Sequence, residues 1–158
     1  MNQLIEEFYT AFNNLNANKM ASCYHDDIVF EDPAFGVLEG ERAKAMWQML
    51  CSSQKGKEFK VVSSKISSDE TSGSAYWEAF YNFSKTGRKV HNKIDAKFEF
   101  KDGLIIKHTD TFNLHKWANQ AMGVKGFLFG GMGFFKNKLQ QQTNKLLDKY
   151  LEEKKPSS

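Results

Sequence analysis

What the chain has little of narrows the field first. Its 158 residues include two cysteines, two prolines and two arginines. Cys23 and Cys51 make neither a disulfide framework nor a CxxC redox pair. Both sit among apolar residues and read as buried free thiols. A broad basic face is also missing. The net charge is +3, and the last stretch accounts for it: Lys136, Lys138, Lys145, Lys149, Lys154 and Lys155 face only Asp148, Glu152 and Glu153. The balance elsewhere excludes a nucleic-acid footprint. No apolar run is long enough to span a bilayer, since the stretch around Phe127 to Phe135 is short and broken by glycine. Met1 leads directly into a polar helical pattern without an apolar signal stretch, so a soluble cytoplasmic protein is expected. There is no Walker-type phosphate loop and no serine nucleophile elbow.

Aromatic residues are plentiful. They make up 14% of the chain, and 14 of them are phenylalanine, enough to fill a large interior or to line an apolar cavity. One domain is expected at this length. Leu4, Phe8, Phe12 and Leu15 recur at helical spacing and predict a helix over 2–15. Asn16 or Asn18 is placed to cap a second short helix running through Tyr24. Residues 28–32 alternate as a strand ended by Pro33, Gly36 and Gly40 bracket a loop, and Ala43, Met46, Trp47 and Leu50 mark a third helix. The period then changes to two. Strands are predicted over 58–67, 74–84, 90–100 and 104–112. In the second, Ala75, Trp77, Ala79, Tyr81 and Phe83 share a face. In the third, Ile94, Ala96, Phe98 and Phe100 face one way and His91, Lys93, Asp95, Lys97 and Glu99 the other. Asp102-Gly103 marks the hairpin turn into the last strand. Leu114 to Met122 is helical, a glycine-rich hinge follows, and a final helix covers about 134–151. Helices first, then an antiparallel meander, then helices, is an α+β order with helices on one face of a curved sheet.

Three motifs carry a family resemblance. The first is the N-terminal helix ending in Phe12-Asn13, with the short second helix leading to Asp26-Asp27. The second is Phe30-Glu31-Asp32-Pro33 followed by Gly40. The third runs from Asp102-Gly103 through His108-Thr109-Asp110 to Gln120-Ala121-Met122-Gly123. Over roughly residues 2–122 the chain resembles the nuclear-transport-factor-2-like superfamily, in its branch of SnoaL-like polyketide cyclases and ketosteroid isomerases. The resemblance implies a cone-shaped curved antiparallel sheet wrapped around N-terminal helices, with an internal pocket. Residues 1–122 would form this cone, and 123–158 a hinge and C-terminal helix extending the same domain.

The resemblance also assigns roles. Asp32 matches the isomerase aspartate that moves protons beside a carbonyl, and Asp110 lies in the strand where SnoaL-like cyclases carry an acid/base aspartate. The isomerase oxyanion donors do not carry over, because their positions fall on Phe8 and Ala96. Losing both would remove most of the enolate stabilisation, so steroid isomerisation by that route is not expected. Strand parity independently places His108 and Asp110 on one face with Ile106 and Phe112. Asp110, His108 and Asp32 are therefore the candidate catalytic residues. Tyr81, Trp77, Phe83, Asn92, Phe8 and Trp47 are the candidate ligand-binding residues. No third ligand is spaced to complete a metal site with His108 and Asp110, and no cofactor is implied. Epoxide hydrolysis on this fold needs an Asp-Arg-Asp set that Arg42 and Arg88 are poorly placed to complete.

The expected function is binding of a small, largely apolar molecule, with acid/base chemistry of the isomerase, cyclase or dehydratase kind. The alternative is a non-catalytic ligand-binding or dimerisation module. The alternating charges on the open sheet face suit a homodimer. The segment 126–135 is expected to pack on protein, as a lid or a dimer contact, rather than on a membrane.

Overall fold

A computed structural model describes residues 1–156. The N-terminal apolar stripe folds into α1 (Asn2–Asn13), which buries Ile5, Phe8, Tyr9, Ala11 and Phe12. Asn16 caps α2 (Ala17–Ser22) by accepting the Lys19 backbone N–H at 3.0 Å, which satisfies one of the free donors of a helix start. This helix stops short of Tyr24 because Tyr24 opens a strand, β1 (Tyr24–Asp32). After Pro33 the chain returns as β2 (Gly36–Glu39), antiparallel to β1. The stretch between Gly36 and Gly40, expected as a loop, is thus a strand. Four residues between glycines show too little alternation to be read from sequence, and cross-strand pairing decides their state.

Next come α3 (Glu41–Gln54), β3 (Phe59–Ser68), β4 (Ser72–Asn82), β5 (Lys89–Lys101), β6 (Leu104–Thr111), α4 (Leu114–Met122), α5 (Val124–Phe129) and α6 (Gly133–Glu153). Six strands form one curved, unclosed sheet in the order β2-β1-β6-β5-β4-β3. The expected antiparallel pairing holds everywhere except between β1 and β6, which run parallel. These two strands are far apart in the chain, so no hairpin forces them to be antiparallel.

The meander follows its sequence period. On β5, Ile94, Ala96, Phe98 and Phe100 are buried, while His91, Lys93, Asp95, Lys97 and Glu99 are exposed. The turn into β6 uses Asp102 and Gly103, both at positive φ, a conformation that glycine adopts freely and aspartate tolerates. One detail departs from parity. The register slips between Glu99 and Phe100, where Phe100 pairs with Ile105 and Glu99 with Lys107. Ile106 is the extra residue of this bulge, so Ile105 and not Ile106 enters the core.

α1 and α3 cover the inner face of the sheet. Tyr9 packs on Trp77 and Phe98, and Trp47 meets Phe30 edge-on. α6 lies against α3 and the β1–β2 turn. Arg42 donates to the Asp148 carboxylate at 2.6 Å and to Asn144 Oδ1 at 2.9 Å, and Asn144 Nδ2 donates to the Phe35 carbonyl at 2.9 Å. The glycine-rich segment is not a free hinge. A Cβ at Gly126 would lie 1.8 Å from the Ala118 carbonyl oxygen. Glycine is therefore required there for α5 to cross α4 closely.

Candidate functional site

The inner sheet face, α3, α4 and α6 enclose a cavity of about 520 Å³ with mostly apolar walls. Met46, Trp47 and Leu50 line it from α3. Trp77, Ala79 and Tyr81 line it from β4, Ile94 from β5, and Phe112 and Trp117 from the β6–α4 corner. α6 contributes Leu139, Gln142, Thr143 and Leu146. Two carboxylates reach this space, Asp32 from the end of β1 and Asp110 from β6. Lys85, Lys149 and Glu153 are exposed residues at its rim.

Asp32 sits before the turn that joins β1 to β2. Its Oδ1 accepts the backbone N–H groups of Ala34 and Phe35 at 2.9 and 2.6 Å, the ordinary turn role of an aspartate before proline. Its Oδ2 has no partner among the described residues. Burial pushes this carboxyl up to about 7, the nearby Asp110 charge adds to the rise, and the two backbone donors only partly offset it. At neutral pH, Asp32 is therefore divided between acid and carboxylate.

Asp110 is held differently. Its Oδ1 accepts His108 Nε2 at 2.9 Å and Trp77 Nε1 at 3.2 Å. His108 is fully buried and does not line the cavity. It lies behind Asp110, with the rings of Phe8, Phe30, Trp47 and Phe98 around it. His108 Nδ1 lies 2.7 Å from Tyr24 Oη, which accepts Trp47 Nε1–H at 2.9 Å. The placement of protons follows from these partners. Burial holds Tyr24 well above the ordinary tyrosine range, so it stays a phenol. Among the described residues its hydroxyl hydrogen finds an acceptor only at Nδ1. His108 then accepts at Nδ1 and donates its Nε2–H to Asp110. The chain Trp47–Tyr24–His108–Asp110–Trp77 anchors one oxygen of Asp110 and leaves Oδ2 without a partner among the described residues.

The other expected residues sort by position. Trp77, Trp47, Phe83, Asn92 and Tyr81 all line the cavity. Tyr81 Oη accepts Trp117 Nε1–H at 2.8 Å, which leaves its own hydrogen free to donate. Burial, opposed by that bond and aided by the Asp32 charge, pushes Tyr81 up to about 12. Phe8 is not part of the wall. It is fully buried, stacked on Tyr24 at 5.2 Å between ring centres, because its helix face points at the polar chain rather than at the open space.

Two contributors were not picked out from the sequence. Tyr24 read as helical and so had no strand parity to place it beside His108. Gln54 lines the cavity, is buried, and its Oε1 has no hydrogen-bond partner among the described residues. It lies seven residues after Trp47, two helical turns along the same face of α3, so helical spacing alone would have found it.

A sequence model of the SnoaL-like domain matches residues 5–108. The chain belongs to the SnoaL-like family. Solved structures share the fold. A polyketide cyclase candidate from Xanthomonas campestris pv. campestris is 18% identical with a TM-score of 0.60, over 75% of this chain and 93% of that one. An epoxide hydrolase of the LEH-like kind from M. tuberculosis is 22% identical with a TM-score of 0.58, over 81% and 89%. A protein with a ketosteroid isomerase-like fold from Catenulispora acidiphila, solved with trimethylamine, is 12% identical with a TM-score of 0.61, over 75% and 91%. At these identities the likeness is one of fold. Among curated proteins none matches the chain.

Proposed function

We propose that this SnoaL-like domain binds a small, largely apolar molecule bearing a carbonyl and moves a proton on it, in an isomerisation, cyclisation or dehydration. One observation carries this reading: two carboxyl groups share one apolar cavity, and each has one oxygen anchored and the other unpartnered. Asp110, held by His108 and Trp77, acts as the base. Asp32, lifted to about 7, supplies the proton at neutral pH. Two neighbouring carboxyls in unlike environments divide the acid and base roles in this way. Tyr81 donates a hydrogen bond to the carbonyl, Gln54 and Asn92 orient the ligand, and His108 positions Asp110 without touching the substrate.

Epoxide opening by an Asp-Arg-Asp set fits this cavity poorly, since neither arginine lines it. Arg42 ties α3 to α6, and Arg88 Nε donates to the Gln120 carbonyl at 2.8 Å. Phe8 and Ala96 stand where the steroid-isomerase donors would be, so a β,γ-unsaturated ketosteroid is not the expected substrate. We also infer a homodimer formed through the outer face of the sheet.

The test uses 2-tetralone, an apolar bicyclic ketone with exchangeable α-hydrogens, followed by proton NMR in deuterated water. The expected result is α-hydrogen exchange above the buffer rate, falling by about 100-fold or more in Asp110→Asn. The amide oxygen of that variant can still accept from His108 and Trp77, so the melting temperature should barely move. Binding of the ketone with exchange no faster than buffer in the parent protein would favour the non-catalytic module instead.

A further inference from the structure

α5 and the start of α6 display an apolar surface that this chain leaves uncovered. Val124 is 74% exposed, Phe127 62% and Phe134 60%, and Leu128, Phe129 and Met132 are exposed beside them. These side chains form one patch. The rings of Phe129 and Phe134 are 6.5 Å apart, and the Phe127 ring lies 6.1 Å from His115 on α4. None of residues 124–135 lines the cavity, so the segment is not a lid. Its glycine side packs on α4, while these apolar side chains face away from the body.

The patch is also fixed in place. Gly126 and Gly130 press onto Ala118, where a Cβ on either would fall within 2.6 Å of atoms of α4 or α5. Their small side packs inward and turns the phenylalanines out. His115 Nε2 and the Phe127 carbonyl, 2.7 Å apart, add a polar tie from the same helix, α4.

The stretch of sequence that carries it has charge of one sign. Between Asp110 and Asp148 there is no acidic residue, and five lysines lie in that interval: Lys116, Lys125, Lys136, Lys138 and Lys145. All five are exposed, and none forms an ion pair among the described residues. This combination selects the occupant. A second copy meeting the patch across a twofold axis would set lysines against lysines. An anionic polymer would satisfy the lysines but leave the aliphatic and phenyl surface in water. An anionic lipid surface satisfies both, with the apolar side chains in the acyl boundary and the ammonium groups at the headgroups.

We propose that α5 and the first turn of α6 form a foot that docks this protein on an anionic membrane surface. It lies on the interface without spanning it, since no helix of the described residues is long and apolar enough to cross. Met122 and Leu139, which bracket the foot in sequence, both line the cavity, so docking brings the cavity wall close to the lipid.

The test is co-sedimentation of the full chain with vesicles of phosphatidylcholine alone or mixed with phosphatidylserine, at low and high salt. Expected is binding to the mixed vesicles only, weakened by salt. Lys125→Glu/Lys136→Glu/Lys138→Glu should weaken it by at least about tenfold. Phe127→Ser/Phe134→Ser should abolish it. Both sets change exposed side chains, so the circular dichroism spectrum and melting temperature should stay as in the parent. Sedimentation equilibrium is run on the same samples. Absence of binding to phosphatidylserine vesicles at low salt overturns the proposal. So does equal binding by the charge-reversed variant, and so does conversion of a larger assembly to a smaller one by Phe127→Ser/Phe134→Ser, which would show that a second copy covers the patch.

Discussion

At the scale of single residues, the proton on Asp32 links the cavity to the stability of the fold. Its folded-state value of about 7 lies above the value of 3.8 expected of a free aspartate. The stability linked to this group is therefore fully present at low pH and is lost as pH rises through about 7. Asp32→Asn keeps an acceptor for Ala34 and Phe35 but carries no charge. From about pH 4 to pH 8, this variant should gain on the parent by roughly 4 kcal/mol in urea unfolding. Parallel stability curves would show that Asp32 titrates normally. Tyr24 is the second test at this scale. Tyr24→Phe leaves Trp47 Nε1 without its acceptor and His108 Nδ1 without its donor, both buried. A buried orphan costs about 1–3 kcal/mol, so the variant should lose at least about 2 kcal/mol of stability. The His108 nitrogen-15 signals should lose their single-tautomer pattern. An unchanged tautomer would contradict the assigned chain. The two carboxyls themselves were legible in the sequence, for different reasons. Asp110 follows from alternation on β6, and Asp32 from its place before a proline at the end of a strand. The raised position of Asp32 was not legible, because it depends on how the fold buries that carboxyl and brings the Asp110 charge near it.

At the scale of elements, legibility followed contrast between faces. β5 was read almost residue by residue because every second side chain is charged. β4 was also placed correctly from its aromatic face. β2 was lost because a strand of four residues has no period of its own, and the opening of β1 was lost because residues 24–27 are polar on the side away from the core. The bulge at Ile106 belongs to the pairing of β6 with β5 and not to either strand alone. The exposed side of the same sheet carries the prediction at this scale. Phe80 and His91 stack there at 4.1 Å between ring centres, and His91 also meets Glu78 at 2.8 Å. Alternating charges flank them on β5, a pattern that can match itself across a twofold axis. Sedimentation equilibrium should find a dimer for the parent protein and a shift toward monomer for Phe80→Lys. A parent protein that stays monomeric at high concentration would remove the sheet face as an interface.

At the scale of the whole molecule, the fold was readable and the placement of its C-terminal third was not. The order of helices and strands, together with the motifs around Asp32 and Asp110, points to the SnoaL-like family from sequence alone. The path of α6 across α3 rests on Arg42 reaching Asp148 and Asn144, contacts between residues far apart in the chain that no local pattern announces. That path matters for function, because α6 supplies one wall and so turns an open cone into a cavity suited to an apolar guest. The proposed proton transfer in that space has Asp32 and Asp110 acting together. The most direct measurement is a carbon-13 titration of the aspartate carboxyls, with and without bound 2-tetralone. The expected result is an Asp32 inflection near 7 that shifts when the ketone binds and moves down, while staying above the ordinary aspartate range, in Asp110→Asn, because burial is the larger cause of the rise. An Asp32 inflection already in the ordinary range, unmoved by ketone and by Asp110→Asn, would contradict the paired-carboxyl site.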